Sequence, residues 1–285
     1  MLRKSIILIL LSFSMAACTA TQSSLKKRLL IGWVPQFNEY ISPMTVPVQP
    51  MYRPCVFKFK SEMAANFYVT ENSSTEKVNQ YIKMEGKCKI QKLGDMLTWD
   101  LIVNKVVTNN ETIAPNHALV QARMLTDMFG KIQEIEATSP ALSSNIEQEK
   151  IDKFVKSMKQ SIKKISAGLP ENPVRSGDSI IKINKSSLLA MEPEFQNDIK
   201  MDGEIAYIIK GWSFFNGKKV IVASMYHVIT TDIDGVEIQM IMNGYNLYDP
   251  KTFQVVEGYL LLVISPLSGG NKFSGKLLFH QSSIL

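Results

Sequence analysis

Histidine and cysteine are scarce in this chain, with three of each among 285 residues. His117, His227 and His280 stand apart from one another, and none has a His, Cys or carboxylate at the spacing of a zinc site. No metal and no cofactor is therefore expected. The sequence also lacks a Gly-x-Ser-x-Gly elbow and a His-Glu-x-x-His helix. The chain reads as a non-enzyme; a hydrolase assembled from dispersed residues is the remote alternative. Gly270 to Lys276 has the spacing of a phosphate loop, but Leu277 stands where a magnesium-binding Ser or Thr is needed. That stretch is expected to be a turn before a short strand. No arginine-rich tract or basic–aromatic interleaving is present, which argues against a nucleic-acid partner. Beyond residue 18 no apolar run approaches the ~20 residues that span a bilayer as a helix.

What is present begins at the N-terminus. Arg3 and Lys4 precede an apolar run from Ile6 to Leu11, continued by Phe13, and then Met15-Ala16-Ala17-Cys18. This is the layout of an export signal. The four-residue string resembles the lipobox of bacterial lipoproteins, with Met in place of the usual Leu. The resemblance implies a diacylglyceryl group on the Cys18 thiol and cleavage just before it. Thr19, rather than Asp, follows the cysteine, which by the same resemblance favours the outer membrane, on its periplasmic face, in a Gram-negative cell. An ordinary secretory peptide cut at Ala-x-Ala is the alternative. Removing Arg3 and Lys4 from the 32 basic residues leaves 30 against 26 acidic, a net +4. Lys26, Lys27 and Arg28 lie in a polar tether from Thr19 to Arg28. Two cysteines, Cys55 and Cys88, remain in the body, and an exported compartment permits a disulfide between them. Two free thiols are the other reading.

The body divides as follows: 1–17 signal peptide; 18–54 lipidated cysteine, tether and a segment with prolines at 43, 47, 50 and 54; 55–140 a first β half; 141–179 a helix and connector; 180–285 a second β half. Prolines at that density exclude a helix or a central strand. Val56-Phe57-Lys58-Phe59-Lys60 alternates as a half-buried strand does. Asn216-Gly217 and Asp234-Gly235 are two-residue hairpin signals, because such turns need positive φ. Between the halves, Ser144-Asn145-Ile146-Glu147 fits a capping box. Ile151, Phe154, Val155, Met158, Ile162 and Ile165 then form one apolar stripe at helical spacing. Gly168 and Pro170 end this helix. Met84-Glu85-Gly86 and Met201-Asp202-Gly203, with Asp127 and Asp249 in later loops, suggest a duplication.

The connector Leu169-Pro170-Glu171-Asn172-Pro173-Val174-Arg175-Ser176-Gly177-Asp178-Ser179 resembles a Leu-Pro-x-x-Pro-Val-x-x-Gly-Asp-Ser pattern. That pattern belongs to uncharacterised bacterial envelope lipoproteins with β-rich halves around a central helix. The fold expected is mainly β (α+β): two antiparallel β-meander halves joined by one amphipathic helix, with a half-open barrel as the form that long curved sheets take. The function expected is that of a non-catalytic, lipid-anchored envelope protein binding a hydrophobic ligand, with Trp212, Phe214 and Phe215 among its supply of aromatic side chains. The alternative is a structural or assembly partner in an envelope protein complex.

Overall fold

The computed structural model describes residues 25–71, 74–107, 112–113, 120–138, 168–184, 204–233, 236–267 and 273–284. The leader with Cys18, the helix expected after Ser144, His117, Met201–Gly203 and the Asp234-Gly235 pair lie outside these residues. The elements are α1 (Leu25–Leu30), β1 (Cys55–Glu71), β2 (Ser74–Leu93), β3 (Met96–Val107), β4 (Thr112–Ile113), β5 (Val120–Thr126) and β6 (Ile132–Thr138). They continue with β7 (Ser179–Asn184), β8 (Glu204–Phe215), β9 (Lys218–Ile233), β10 (Val236–Tyr248), β11 (Val255–Pro266) and β12 (Phe273–Ile284). The tether expected up to Arg28 is thus partly a helix: Leu25 and Leu29, one turn apart, are both buried against the sheet.

All the described strands join one antiparallel sheet, ordered β6-β5-β3-β2-β1-β12-β11-β10-β9-β8-β7, with β4 paired onto β3. The protein is mainly β, and the sheet is not closed: among the described residues, β6 and β7 end it without pairing. The two meanders are not separate bodies. The first and last strands pair at the centre, from Lys58 opposite Ile284 to Val69 opposite Phe273. Six antiparallel steps separate β1 from β7, so these two strands run in the same direction. The same holds for β2 and β8, which is the arrangement a duplicated meander would give.

Local chemistry fixes the turns. Asn216 and Gly217 have φ of 50° and 74°, both positive, as the hairpin between β8 and β9 requires. Asp127 Oδ1 accepts hydrogen bonds from the backbone N–H groups of Phe129 and Lys131. Asp249 Oδ1 does the same for Lys251 and Thr252. Each carboxylate ties its own loop, between β5 and β6 and between β10 and β11.

The sheet is strongly curved, and the chain itself proves it. Leu169 N–H donates to Phe129 O beyond the end of β5, while Gly177 N–H donates to Ile209 O on β8. Eight residues span that gap, at most about 29 Å. The same points are eight strand steps apart, about 38 Å along a flat sheet. Only a trough brings them within reach. Glycines on the inner face permit the bend. A Cβ on Gly244 would stand 2.3 Å from Tyr259 O, and one on Gly275 2.7 Å from Asn66 O, distances that exclude any side chain.

The connector and the proline-rich segment form a double strap over one end of this trough. Val48 and Val174 exchange both backbone hydrogen bonds, each 2.8 Å. Ser176 Oγ accepts from Met44 N–H at 2.7 Å, and Ser176 N–H donates to Met44 O. The first strap runs from Ser42, bridged to Trp212 on β8, to Tyr52, whose N–H donates to Met128 O. The connector is therefore more than the stiff turn its sequence suggests: it crosses a trough.

Candidate functional site

Alternation along each strand sorts the side chains between two faces. The inner face carries Met63, Ala65 and Phe67 of β1, Ile205, Tyr207 and Ile209 of β8, Met225 and Ile229 of β9, Met242 of β10, Leu260 of β11, and Leu277 and Phe279 of β12. Under the strap this face is covered by the buried side chains of Met44, Leu169, Val174, Tyr248 and Phe253. Phe57, Phe59, Ile90 and Leu97 extend it toward the β3 side, where Tyr52 packs edge-on against Trp99 with ring centroids 4.9 Å apart. Burial pushes the Tyr52 hydroxyl up to about 12.

At the unstrapped end the inner wall remains apolar but is only partly buried: Val78 and Ile82 on β2, Met240 on β10, Leu262 and Ile264 on β11. Polar groups interrupt it, Gln80 and His227 among them. Gln80 lies on the inner face, opposite Ala65, and its Oε1 is buried without a hydrogen-bond partner. His227 lies opposite Met242 on the far wall. There the β8–β9 ladder stops at Ile208–Ser224, and the His227 ring fills the split. Its Nε2 sits 3.0 Å from Ala206 N and 3.2 Å from Ala206 O. One tautomer accepts from the N–H, the other donates to the carbonyl. The end of the trough thus offers aliphatic and thioether contacts with a hydrogen-bond acceptor on one side.

The outer face has a cluster of its own. His280 Nε2 lies 2.9 Å from Glu257 Oε1, with side chains only 3% and 7% exposed. Tyr259 stacks flat on His280, centroids 4.2 Å apart and planes 13° off parallel. The Arg28 guanidinium lies over both Trp33 and Tyr259, at 4.6 and 5.1 Å from the ring centres. Burial, then the charge of Glu257, pushes the Tyr259 hydroxyl up to about 12, against the pull of Arg28. The pair sits beneath α1 and the chain that follows it, so it clamps the N-terminal segment to the sheet rather than facing a cleft.

The sequence-predicted site residues fare unevenly. Cys55 and Cys88 are both free thiols, not a disulfide. They face the same way on neighbouring strands, but the register sets Cys55 opposite Ile90 and Phe57 opposite Cys88. Such diagonal partners stand roughly 7–8 Å apart, beyond the Cβ separation a disulfide tolerates. Trp212 packs against the strapped core under Lys219, whose Nζ is 4.0 Å from the ring centre. Phe214 is exposed and Phe215 joins the outer cluster, so neither lines the trough. Gly275 and Lys276 lie inside β12, in extended backbone and not in a phosphate loop. Gln80 and His227 were not singled out as ligand groups, because only the register shows that they face inward. Among the described residues no three His, Cys, Asp or Glu side chains are grouped to hold a metal ion.

These features define an open, curved antiparallel sheet strapped at one end. Solved structures with a remote likeness include DynF from the dynemicin biosynthesis pathway of Micromonospora chersina, with 8% identity, 95% of this chain and 96% of that chain covered, and a TM-score of 0.25. A DUF1329 family protein from Desulfovibrio piger has 9% identity, coverage of 77% and 83%, and a TM-score of 0.18. A domain described as outer membrane lipoprotein-sorting, from Vibrio parahaemolyticus, has 10% identity, coverage of 79% and 84%, and a TM-score of 0.19. Likenesses this remote assign no ligand, activity or location to this chain. No protein-family model and no curated protein matches it.

Proposed function

We propose that this chain is a non-catalytic envelope protein, anchored by a lipid on Cys18, that binds a hydrophobic molecule in the unstrapped end of the trough. One observation carries the reading: Val78, Ile82, Met240, Leu262 and Ile264, on the apolar inner face, are left only partly buried. Apolar surface kept accessible inside a concavity is the usual make-up of a small-molecule site. Gln80 Oε1, buried and unpaired, supplies an acceptor for a hydroxyl or amide on the ligand. The ligand class that fits is a lipid or similar amphiphile with a long apolar body. Thr19 after the cysteine favours the outer membrane where the organism has one.

The test is native mass spectrometry of the protein extracted from its own membranes. A co-purifying species of lipid mass is expected, and it should fall away in an Ile82→Asp/Met240→Asp variant whose circular dichroism is unchanged. A clean apo mass in repeated preparations overturns the ligand reading. The mass of the N-terminal peptide reports the anchor separately.

A further inference from the structure

We infer that the outward face of α1 and the turn after it form a docking surface for an anionic lipid bilayer, so that the protein lies against the membrane instead of hanging from its anchor. The inference goes beyond the ligand site and rests on the Cys18 anchor alone.

The helix buries Leu25 and Leu29, one turn apart. At 100° per residue, Lys26, Leu30, Lys27 and Ile31 follow one another around the opposite arc. Each apolar residue there has a lysine one turn before it. Leu30 is 73% exposed and Ile31 69%, and Val34, just past the turn at Gly32, is 40% exposed. Three large aliphatic side chains turned to solvent within five residues are a patch, not a scatter. Basic residues bordering aliphatic ones are the composition of a segment that lies in a bilayer interface.

The chain's own layout selects the occupant. Leu25 is seven residues after Cys18, a reach of at most about 25 Å, so α1 cannot leave the neighbourhood of the anchoring membrane. From Thr19 to Asn38 there are three basic residues and no acid; Glu39 is the first. That charge suits anionic headgroups. The segment is also held rigidly to the body. Leu25 and Leu29 pack on the outer face, Arg28 lies over Trp33 and Tyr259, and Lys26 lies 4.7 Å from the Tyr81 ring centre. A surface seated through α1 therefore fixes the orientation of the whole sheet.

Hydroxyl-radical footprinting of the full lipidated chain tests this. The chain is reconstituted at low density in vesicles of phosphatidylethanolamine with phosphatidylglycerol, and in vesicles of phosphatidylcholine alone. Oxidation of Leu30, Ile31 and Val34 should fall severalfold in the anionic vesicles, relative to Tyr226, which is 65% exposed on the outer face of β9. The protection should vanish in a Leu30→Glu/Ile31→Glu variant, which alters only side chains already in solvent. Three results overturn the proposal: oxidation equal to that of Tyr226, protection undiminished in phosphatidylcholine, or protection that grows with protein density and so marks a second copy. Loss of ligand in the preceding experiment would leave this one untouched.

Discussion

Val48 and Val174 sit 126 positions apart in the chain, yet each donates its N–H to the other's carbonyl at 2.8 Å. Each follows a proline, Pro47 and Pro173. The two straps run in opposite directions across the same end of the trough, one before the first meander and one before the second. This pair is the point at which the halves lock over the core. Val174 is 3% exposed, so Val174→Ala should cost about 2 kcal/mol. Urea titration followed by tryptophan fluorescence measures it. A midpoint equal to that of the parent would mean that the strap does not carry load.

Strand glycines should separate by role. Gly86→Ala places a methyl 2.1 Å from Ile102 O and 2.6 Å from the Phe59 ring. A backbone atom cannot yield as a side chain tip does, so the loss should be on the order of 3 kcal/mol. Gly94, in the turn between β2 and β3, has positive φ but open space around its Cα. Gly94→Ala should cost only about 1 kcal/mol. Thermal melts of both variants check the order, and the reverse order would mean that Gly86 is not held tightly against Ile102 and Phe59.

The Glu257–His280 pair should show non-additivity. His280→Phe keeps a flat ring beside Tyr259 but removes the Nε2 that lies 2.9 Å from the buried Glu257 Oε1. A loss of about 3 kcal/mol is expected. Adding Glu257→Leu should recover much of it, since the buried polar group that lost its partner is then gone. A double-mutant cycle in chemical denaturation reads the coupling directly; additive losses would refute a paired role.

Alkaline pH should loosen the fold. Burial pushes the Cys88 thiol from 9.0 up to about 12, with the charges of Cys55 and Asp100 adding to it. Burial, with Asp249 behind it, pushes Cys55 to about 11. Below pH 9 both states keep these protons and the stabilisation is complete. Above it only the unfolded chain ionises, so stability falls as the pH rises toward 12. Denaturant midpoints between pH 8 and 11 should decline, and less so in a Cys55→Ser/Cys88→Ala variant. For the same reason both thiols should react slowly with iodoacetamide at neutral pH, because the thiolate is the nucleophile.

Much of the fold was legible where the determinants are local. Val56 to Lys60 gave the start of β1 by its alternation, and Asn216-Gly217 gave a hairpin because its backbone demands positive φ. The rest of β1 was hidden by Ser61 and Glu62, which are polar yet buried; partners on β12 surround them, and nothing nearby in sequence announces those. α1 escaped notice because six residues are too few for a visible period, and its burial comes from the sheet. The candidate site was illegible for a related reason. Gln80 and His227 belong to one trough only once the β1–β2 and β9–β10 registers are known. The irregularity between Ile209 and Gly211 turns Trp212 toward the strapped core and Phe215 to the outer cluster, a sorting that local alternation does not show.

The pairing of β1 with β12 has a kinetic meaning. Lys58 opposite Ile284 closes a loop of about four-fifths of the chain, and such distant contacts slow folding. The two outer wings are built from hairpins and form locally, but the middle of the sheet must wait for the last strand to arrive. During synthesis the centre of the molecule is thus the final part to be zipped. A chain released early would expose two long, bare strand edges at once.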